Sequence, residues 1–475
     1  MREALRSSWL ACVLLVAGTA TCALAESLPG PAERVLLGHS ISPDDVSVVI
    51  QALDAAEPVL AHAPDAARNP ASVMKLVTTW AALELLGPAY RWPTEVYLDG
   101  PLERGRLAGD LVLKGYGDPF LVLEEFWKLL RALRRLGLDE IGGDLVIDDS
   151  HFAVDEPGPG EFDGQPHRTY NVVPNALLVN FKAVTFHFFA DAGEDSVRVV
   201  HEPPLANLKV ANRIRFADGP CRGYQAGISF AVGGNGLDEV RLGGAFPRRC
   251  GSYALSRTVL DHDTYVFGLF GTLWEELGGR FDGRLRKAAI DDEASPVLTW
   301  RSPPLAEIVR SINKNSNNVM TRQLVYTLGA ETAGPPGTRA NGIAAIRDLL
   351  ESKGLDTASL VIDNGAGLSR DARISAGLLV EMLRRAAASP YAAEFVSSLS
   401  LGGLDGTTRS RFNGHSAVMH VKTGRLDHVS ALAGYLRAAS GKDYALAIIV
   451  NARDAHRGPG QELEEAVVKW AYDTL

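Results

Sequence analysis

The feature that most constrains this chain is where its strand-like segments fall. Val46, Val48 and Ile50 alternate with smaller or polar neighbours, and 59–61 follows a Glu57-Pro58 turn, so two strands are predicted near the start. Three more, 417–423, 430–437 and 444–451, lie close to the end and are joined by turns too short for anything but an antiparallel meander. Segments this apolar need partners. The simplest arrangement is one sheet assembled from both chain ends, with everything between leaving it and returning.

The connecting sequence supports that reading. A helix is predicted over 72–86, with Val73, Leu76, Trp80 and Leu83 on one stripe and Gly87-Pro88 as its stop. Strands at 94–98, 110–114 and 143–147 surround a helix at 121–136, and 165–265 is strand-rich, with segments at 184–188, 197–201 and 228–232. Helices resume at 303–312, 319–328, 341–353, 375–387 and 461–474. The expected class is α+β: an antiparallel sheet flanked by helices, formed by 26–92 and 291–475, with a large, mostly β insertion at 93–290. The insertion reads as two nested parts, 93–164 with 266–290, and 165–265. No period of 20–50 residues marks a repeat.

Residues 1–25 have the pattern of a cleaved signal peptide: Arg2 and Arg6, an apolar run over 9–17, then Ala23-Leu24-Ala25 before Glu26. The run is too short to span a bilayer, and no later stretch is long enough, so no stable membrane span is expected after cleavage. Thr19, three before Cys22, does not suit a lipoprotein. An exported, periplasmic chain is expected. Its remaining cysteines, Cys221 and Cys250, suggest one disulfide in an oxidising compartment, with two buried thiols as the alternative. The 475 residues carry 48 Lys+Arg against 57 Asp+Glu, a net charge of −9, with no basic stripe for nucleic acid. No zinc spacing occurs, and Asp261-His262-Asp263, the one dense ligand-like run, is more simply a loop or cap. No metal or cofactor is expected.

Three short motifs can carry chemistry together. Ser72-Val73-Met74-Lys75 is S-x-x-K, which on a helix puts hydroxyl and amine one turn apart on one face. Such a lysine becomes a base if burial or a nearby cation lowers its pKa. Ser316-Asn317-Asn318 is S-x-N, between two predicted helices. Lys422-Thr423-Gly424 is K-T-G, at the end of an apolar strand, where the glycine lets another backbone approach. Each alone has a bland reading, as a helix start, an Asn/Ser cap and an ordinary strand end.

In this order and in these contexts the motifs are the signature of penicillin-recognising serine enzymes. The chain resembles the D-alanyl-D-alanine carboxypeptidase/endopeptidase family, the low-molecular-mass penicillin-binding proteins with a large insertion between the first two motifs; Ser316 lies 244 positions after Ser72. Lys114 to Pro119 (KGYGDP), Asp148 to Phe152 (DDSHF), Asn364 to Arg370 (NGAGLSR, with Ala366 for the family's serine) and Leu404 to Thr407 (LDGT) add to the resemblance. Gly115/Gly117 and Gly365/Gly367 fall short of G-x-G-x-x-G, so no nucleotide is expected. The resemblance implies Ser72 as acylated nucleophile, Lys75 as general base and Ser316 as proton relay. It implies Asn318, Lys422, Thr423, Gly424 and Arg425 in substrate binding, and the backbone N–H groups of Ser72 and Leu426 as oxyanion hole. Two departures from the pattern stand out: Thr321-Arg322 where the family has Ala-Glu, and Arg425 where it has Thr or Ser.

The implied activity is periplasmic hydrolysis of D-Ala-D-Ala ends or D-Ala cross-links of peptidoglycan stem peptides, with β-lactam antibiotics as covalent inhibitors. The competing functions are a serine β-lactamase on the same scaffold, which nitrocefin turnover discriminates and the long insertion disfavours, and a non-catalytic peptidoglycan-binding protein with a relic site. A G-x-S-x-G hydrolase is disfavoured because that pentapeptide is absent.

Overall fold

A computed structural model describes residues 27–190, 196–234, 238–291, 293–412 and 414–475; the leader expected at 1–25 lies outside them. The two chain ends meet in a single sheet. Val46–Ala52 pairs antiparallel with Asp443–Asn451, from Val46 opposite Val450 to Ala52 opposite Tyr444. The full order is Ser400–Leu401, Met419–Leu426, Val429–Arg437, Asp443–Asn451, Val46–Ala52, Leu60–His62, antiparallel throughout. The short edge strand Ser400–Leu401 has too few residues to show a period in sequence.

Helices cover both faces, so the central strands are buried along nearly their whole length. One face packs Val48, Ile50, Leu432, Leu446 and Ile448 against Gly30–His39 and Pro459–Thr474. The other packs Val49, Ala431, Ala433, Ala447 and Ile449 against Lys75–Leu86, Leu305–Asn315, Asn318–Ala333 and Ala376–Ala387. Ala376–Ala387 lies directly on this second face, and the turn Ala71–Met74 meets the strands Met419–Leu426 and Val429–Arg437.

The insertion leaves at Trp92 and returns at Ser302, where Ser302 N–H donates to Trp92 O (3.0 Å) and Trp92 N–H to Ser302 Oγ (3.0 Å). A five-stranded sheet follows the neck, in the order Leu285–Lys287, Leu145–Asp148, Asp110–Gly115, Pro93–Asp99, Leu298–Arg301. Its last strand lies beyond residue 290, because it pairs with the strand that opens the insertion. Two three-stranded sheets follow, one centred on Ala183–Phe189 and one on Glu239–Pro247. A single apolar core runs from Val96 through Phe186 and Phe246 to Trp274.

Three helices escape the sequence pattern, the short Ala392–Ser398 among them. Gly30–His39 hides in the Pro/Gly-rich entry, where a proline in the first turn suits a helix start. His262–Glu276 buries one face, with Tyr265, Val266, Leu269, Phe270, Leu273 and Trp274, but Phe267 and Gly271 off that face blur the stripe in the sequence. Asp261 is its N-cap, and Asp261 N–H donates to Thr264 Oγ1 (3.0 Å), so the Asp261-His262-Asp263 run is a cap. Among the described residues no helix is long and apolar enough to cross a membrane.

Cys221 and Cys250 are joined by a disulfide, 29 positions apart. The bridge ties the ends of Lys209–Ala217 and Glu239–Pro247, within the insertion. Closing a loop of this size stabilises a fold by about 3–4 kcal/mol through the unfolded chain's entropy. The Cys221→Ser/Cys250→Ser pair is therefore expected to lower Tm by several degrees while leaving the rate of Ser72 modification within about twofold. Differential scanning calorimetry beside an active-serine labelling assay checks both; an unchanged Tm contradicts the stabilising role.

Candidate active site

Ser72 sits on a 3-10 turn, Ala71–Met74, and the α-helix begins only at Lys75. Asn69 fixes this corner. Its Oδ1 accepts Ala71 N–H (2.9 Å), its Nδ2 donates to Ser369 O (2.8 Å), and its backbone exchanges hydrogen bonds with the Asn451 side chain at the end of a central strand. The serine is thereby held by the sheet as well as by its own helix.

Lys75 is completely buried. Its Nζ lies 2.9 Å from Ser72 Oγ, 2.6 Å from Asn318 Oδ1 and 2.6 Å from Ala366 O. The third partner is a carbonyl, so alanine in place of serine at 366 leaves it intact. Asn364 shapes that loop by accepting Ala366 N–H (3.0 Å) and donating to Leu368 O (2.8 Å). Burial, and secondarily the charge of Lys422, push the Lys75 pKa well below its ordinary 10.5.

Ser316 caps the Leu305–Asn315 helix in a left-handed conformation (φ 55°), and Asn318 opens the next one behind its N-cap Asn317. The tight corner lets residues two apart reach one site. Ser316 Oγ accepts from Lys422 Nζ (2.9 Å), which also donates to Thr423 O (2.8 Å). Lys422 is fully buried, and burial lowers its pKa to about 7. Lys75 carries the further penalty of a like charge nearby, so two ammonium groups side by side are disfavoured here. Thr423 Oγ1 meets Thr407 Oγ1 at 2.7 Å. A Cβ on Gly424 would come within 2.3 Å of Pro70 O and 3.2 Å of Ser72 N, so the strand touches the Ser72 turn only because position 424 lacks a side chain.

The strand register corrects the oxyanion assignment. Met419 O accepts Gly402 N–H (3.1 Å) from the edge side, whereas Val418 O accepts Arg437 N–H (2.8 Å) from the inner side. Backbone groups alternate along an antiparallel strand, so 421, 423 and 425 face the edge and 422, 424 and 426 face inward. Leu426 is paired with Val429 in the hairpin, and its N–H is turned away from the edge. The N–H on the Ser72 side is that of Arg425. Its side chain is exposed, and no ion pair holds it among the described residues.

These residues open into a cleft of about 620 Å³ lined by Ser72, Ser316, Asn318, Arg425 and Leu426 from the sheet-and-helix part. Phe162, Asp163, Gln165 and Tyr170 line it from the insertion, and nothing in the sequence pointed to them. Gly115 and Gly117 pack instead against Ala176 O and the Phe152 ring, which accounts for both glycines without a phosphate. Among the described residues, His428, Asp454 and His456 at the cleft rim are close enough to share a metal ion. Their Nδ1 atoms serve the backbone: His428 Nδ1 accepts Asp454 N–H (3.0 Å), and His456 Nδ1 accepts His428 N–H (2.8 Å).

Comparison with known proteins agrees with this geometry. The D-Ala-D-Ala carboxypeptidase 3 (S13) family model matches residues 32–474. A D-alanyl-D-alanine carboxypeptidase of Actinomadura sp. (strain R39) is 31% identical over 82% of this chain and 74% of its own. The D-alanyl-D-alanine carboxypeptidase DacB of Haemophilus influenzae is 24% identical over 80% of each. The crystal structure of penicillin binding protein 4 (dacB) from Haemophilus influenzae superposes with a TM-score of 0.79 at 21% identity, over 93% of this chain and 99% of that one. The fold is accordingly that of the penicillin-binding proteins, and with its serine and lysine in contact inside it, the chain belongs to the D-Ala-D-Ala carboxypeptidase 3 (S13) family of serine peptidases.

Proposed function

We propose that this protein cleaves D-Ala-D-Ala ends of peptidoglycan stem peptides in the periplasm through an acyl-enzyme on Ser72. The observation that carries the reading is the buried Lys75 Nζ, 2.9 Å from Ser72 Oγ. A neutral amine has two N–H bonds and one lone pair. Asn318 Oδ1 and Ala366 O, each at 2.6 Å, take the two hydrogens and leave the lone pair for the Ser72 hydroxyl.

Ser72 Oγ attacks the carbonyl carbon as Lys75 takes its proton. The N–H groups of Ser72 and Arg425, in place of Leu426, meet the oxygen that becomes negative. Ser316, polarised by Lys422, passes the proton on to the departing amine, and D-alanine leaves. Water then attacks the ester with Lys75 again as base. A β-lactam follows the first half of this course and stays on Ser72. The terminal carboxylate of the substrate lies against Lys422, Thr423 and the guanidinium of Arg425, which holds a carboxylate with two parallel hydrogen bonds.

Benzylpenicillin is expected to add to Ser72 and to no other residue, read by intact mass and peptide mapping. Lys75→Ala should slow this acylation by about 10²–10⁴-fold without loss of fold. A label elsewhere, or normal acylation of folded Lys75→Ala, contradicts the assignment.

Arg425→Thr is expected to raise KM for a D-Ala-D-Ala-terminated peptide by about five- to tenfold with kcat nearly unchanged, the pattern of lost uniform binding. Steady-state kinetics on the peptide check it; an unchanged KM leaves Arg425 as a surface residue.

A further inference from the structure

Arg322 and Glu156 form a buried ion pair that no step of the reaction uses. Their side chains are 7% and 3% exposed, with Nη2 and Oε2 2.5 Å apart. The same guanidinium donates through Nη1 to Val172 O at 3.0 Å. One side chain therefore grips both ends of a single stretch of the insertion, 156 and 172.

The neighbouring contacts follow a pattern. Asn318, Arg322 and Tyr326 stand four residues apart on one face of the Asn318–Ala333 helix. Asn318 Nδ2 donates to Tyr170 O (3.3 Å), and Tyr326 OH donates to Asp155 Oδ1 (2.8 Å). Between these anchors the chain runs over the cleft, where Phe162, Asp163, Gln165 and Tyr170 face the cavity that holds Ser72. Tyr170 OH and Asn171 Nδ2 both bond to Asp163 (2.7 and 2.9 Å), which stiffens the stretch internally. An ammonium is a single point charge; the planar fork of Arg322 can hold a carboxylate and a carbonyl in different directions at once.

We propose that Arg322 is a positioning residue that clamps 155–172 as a fixed wall of the cleft, and so governs recognition of an extended peptide substrate without taking part in the acylation chemistry. The inference rests on the peptidase reading of Ser72. A β-lactam is small and reacts at Ser72, whereas a stem peptide extends along the cleft. Displacing the wall should therefore separate the two.

The test uses two variants of the full chain. Arg322→Met/Glu156→Leu removes the pair without leaving a buried lone charge. Arg322→Lys keeps the charge but loses the two-ended grip. For a D-Ala-D-Ala-terminated pentapeptide, the double variant should show KM raised by about tenfold with kcat within about twofold, and benzylpenicillin acylation within about twofold of the parent. Arg322→Lys should fall between the double variant and the parent. Hydrogen exchange of the 155–172 amides should accelerate in both. An unchanged peptide KM in a folded double variant overturns the proposal. So does an equal loss of penicillin acylation and peptide cleavage, which would make Arg322 a prop for Asn318. Failure of the peptidase reading shows separately, as a parent protein inert toward both penicillin and pentapeptide.

Discussion

Two lysines are buried side by side, and much of the rest of the structure follows from what that requires. An amine out of water costs several kcal/mol unless it sheds its proton or finds acceptors. Lys75 has a serine hydroxyl, an amide oxygen and a carbonyl around it; Lys422 has a hydroxyl and a carbonyl. These acceptors come from four places far apart in sequence: the Ser72 turn, the Ser316–Asn318 corner, the Asn364–Arg370 loop and the Met419–Leu426 strand. Each must be placed to a few tenths of an ångström. The sheet does this by joining the chain ends, with Asn69 and Asn451 locking the first turn to a central strand. The result is a pair of buried amines in which burial and the charge of Lys422 together lower the Lys75 pKa, as the proposed base requires.

The insertion fits the same logic. It departs and returns through a neck of two hydrogen bonds between Trp92 and Ser302, so its own core can form without disturbing the sheet. It comes back to the chemistry at one place, where a stretch after Phe152 lies along the helix that begins with Asn318. That helix presents the residue that holds Lys75 at its first turn and the residues that hold the wall over its next two turns. One helix thus touches both the Ser72–Lys75 pair, through Asn318, and the cleft wall, through Arg322 and Tyr326.

Much of this was legible in the sequence because it rests on local patterns. The five main strands of the sheet show apolar runs at both chain ends, and the three motifs sit at a helix start, an interhelical corner and a strand end. What was hidden depends on contacts or on register. Leu426 and Arg425 differ by one residue, and in a strand that exchanges one edge for the other; only the Met419–Gly402 and Val418–Arg437 bonds fix which N–H faces Ser72. Ala366 contributes a carbonyl, which no side-chain reading reveals. Arg322 stands out as a departure from the family pattern, yet its partner Glu156 lies 166 positions away and carries no motif. The buried stripe of His262–Glu276 is blurred in the sequence by Phe267 and Gly271 on its other face.

The central claim is that Lys75 is a neutral amine poised as a base, its pKa lowered by burial and by the charge of Lys422. The most direct measurement is a pH titration of the lysine side-chain ¹⁵Nζ resonances by NMR, assigned with Lys75→Arg and Lys422→Arg. A lowered pKa means that the neutral amine persists to lower pH. Lys75 is therefore expected to lose its proton well below 10.5, and to shift upward, though not fully to 10.5, when Lys422→Met removes the neighbouring charge while burial remains. A Lys75 resonance that stays in the ammonium form up to its ordinary value, or that ignores Lys422→Met, contradicts the account.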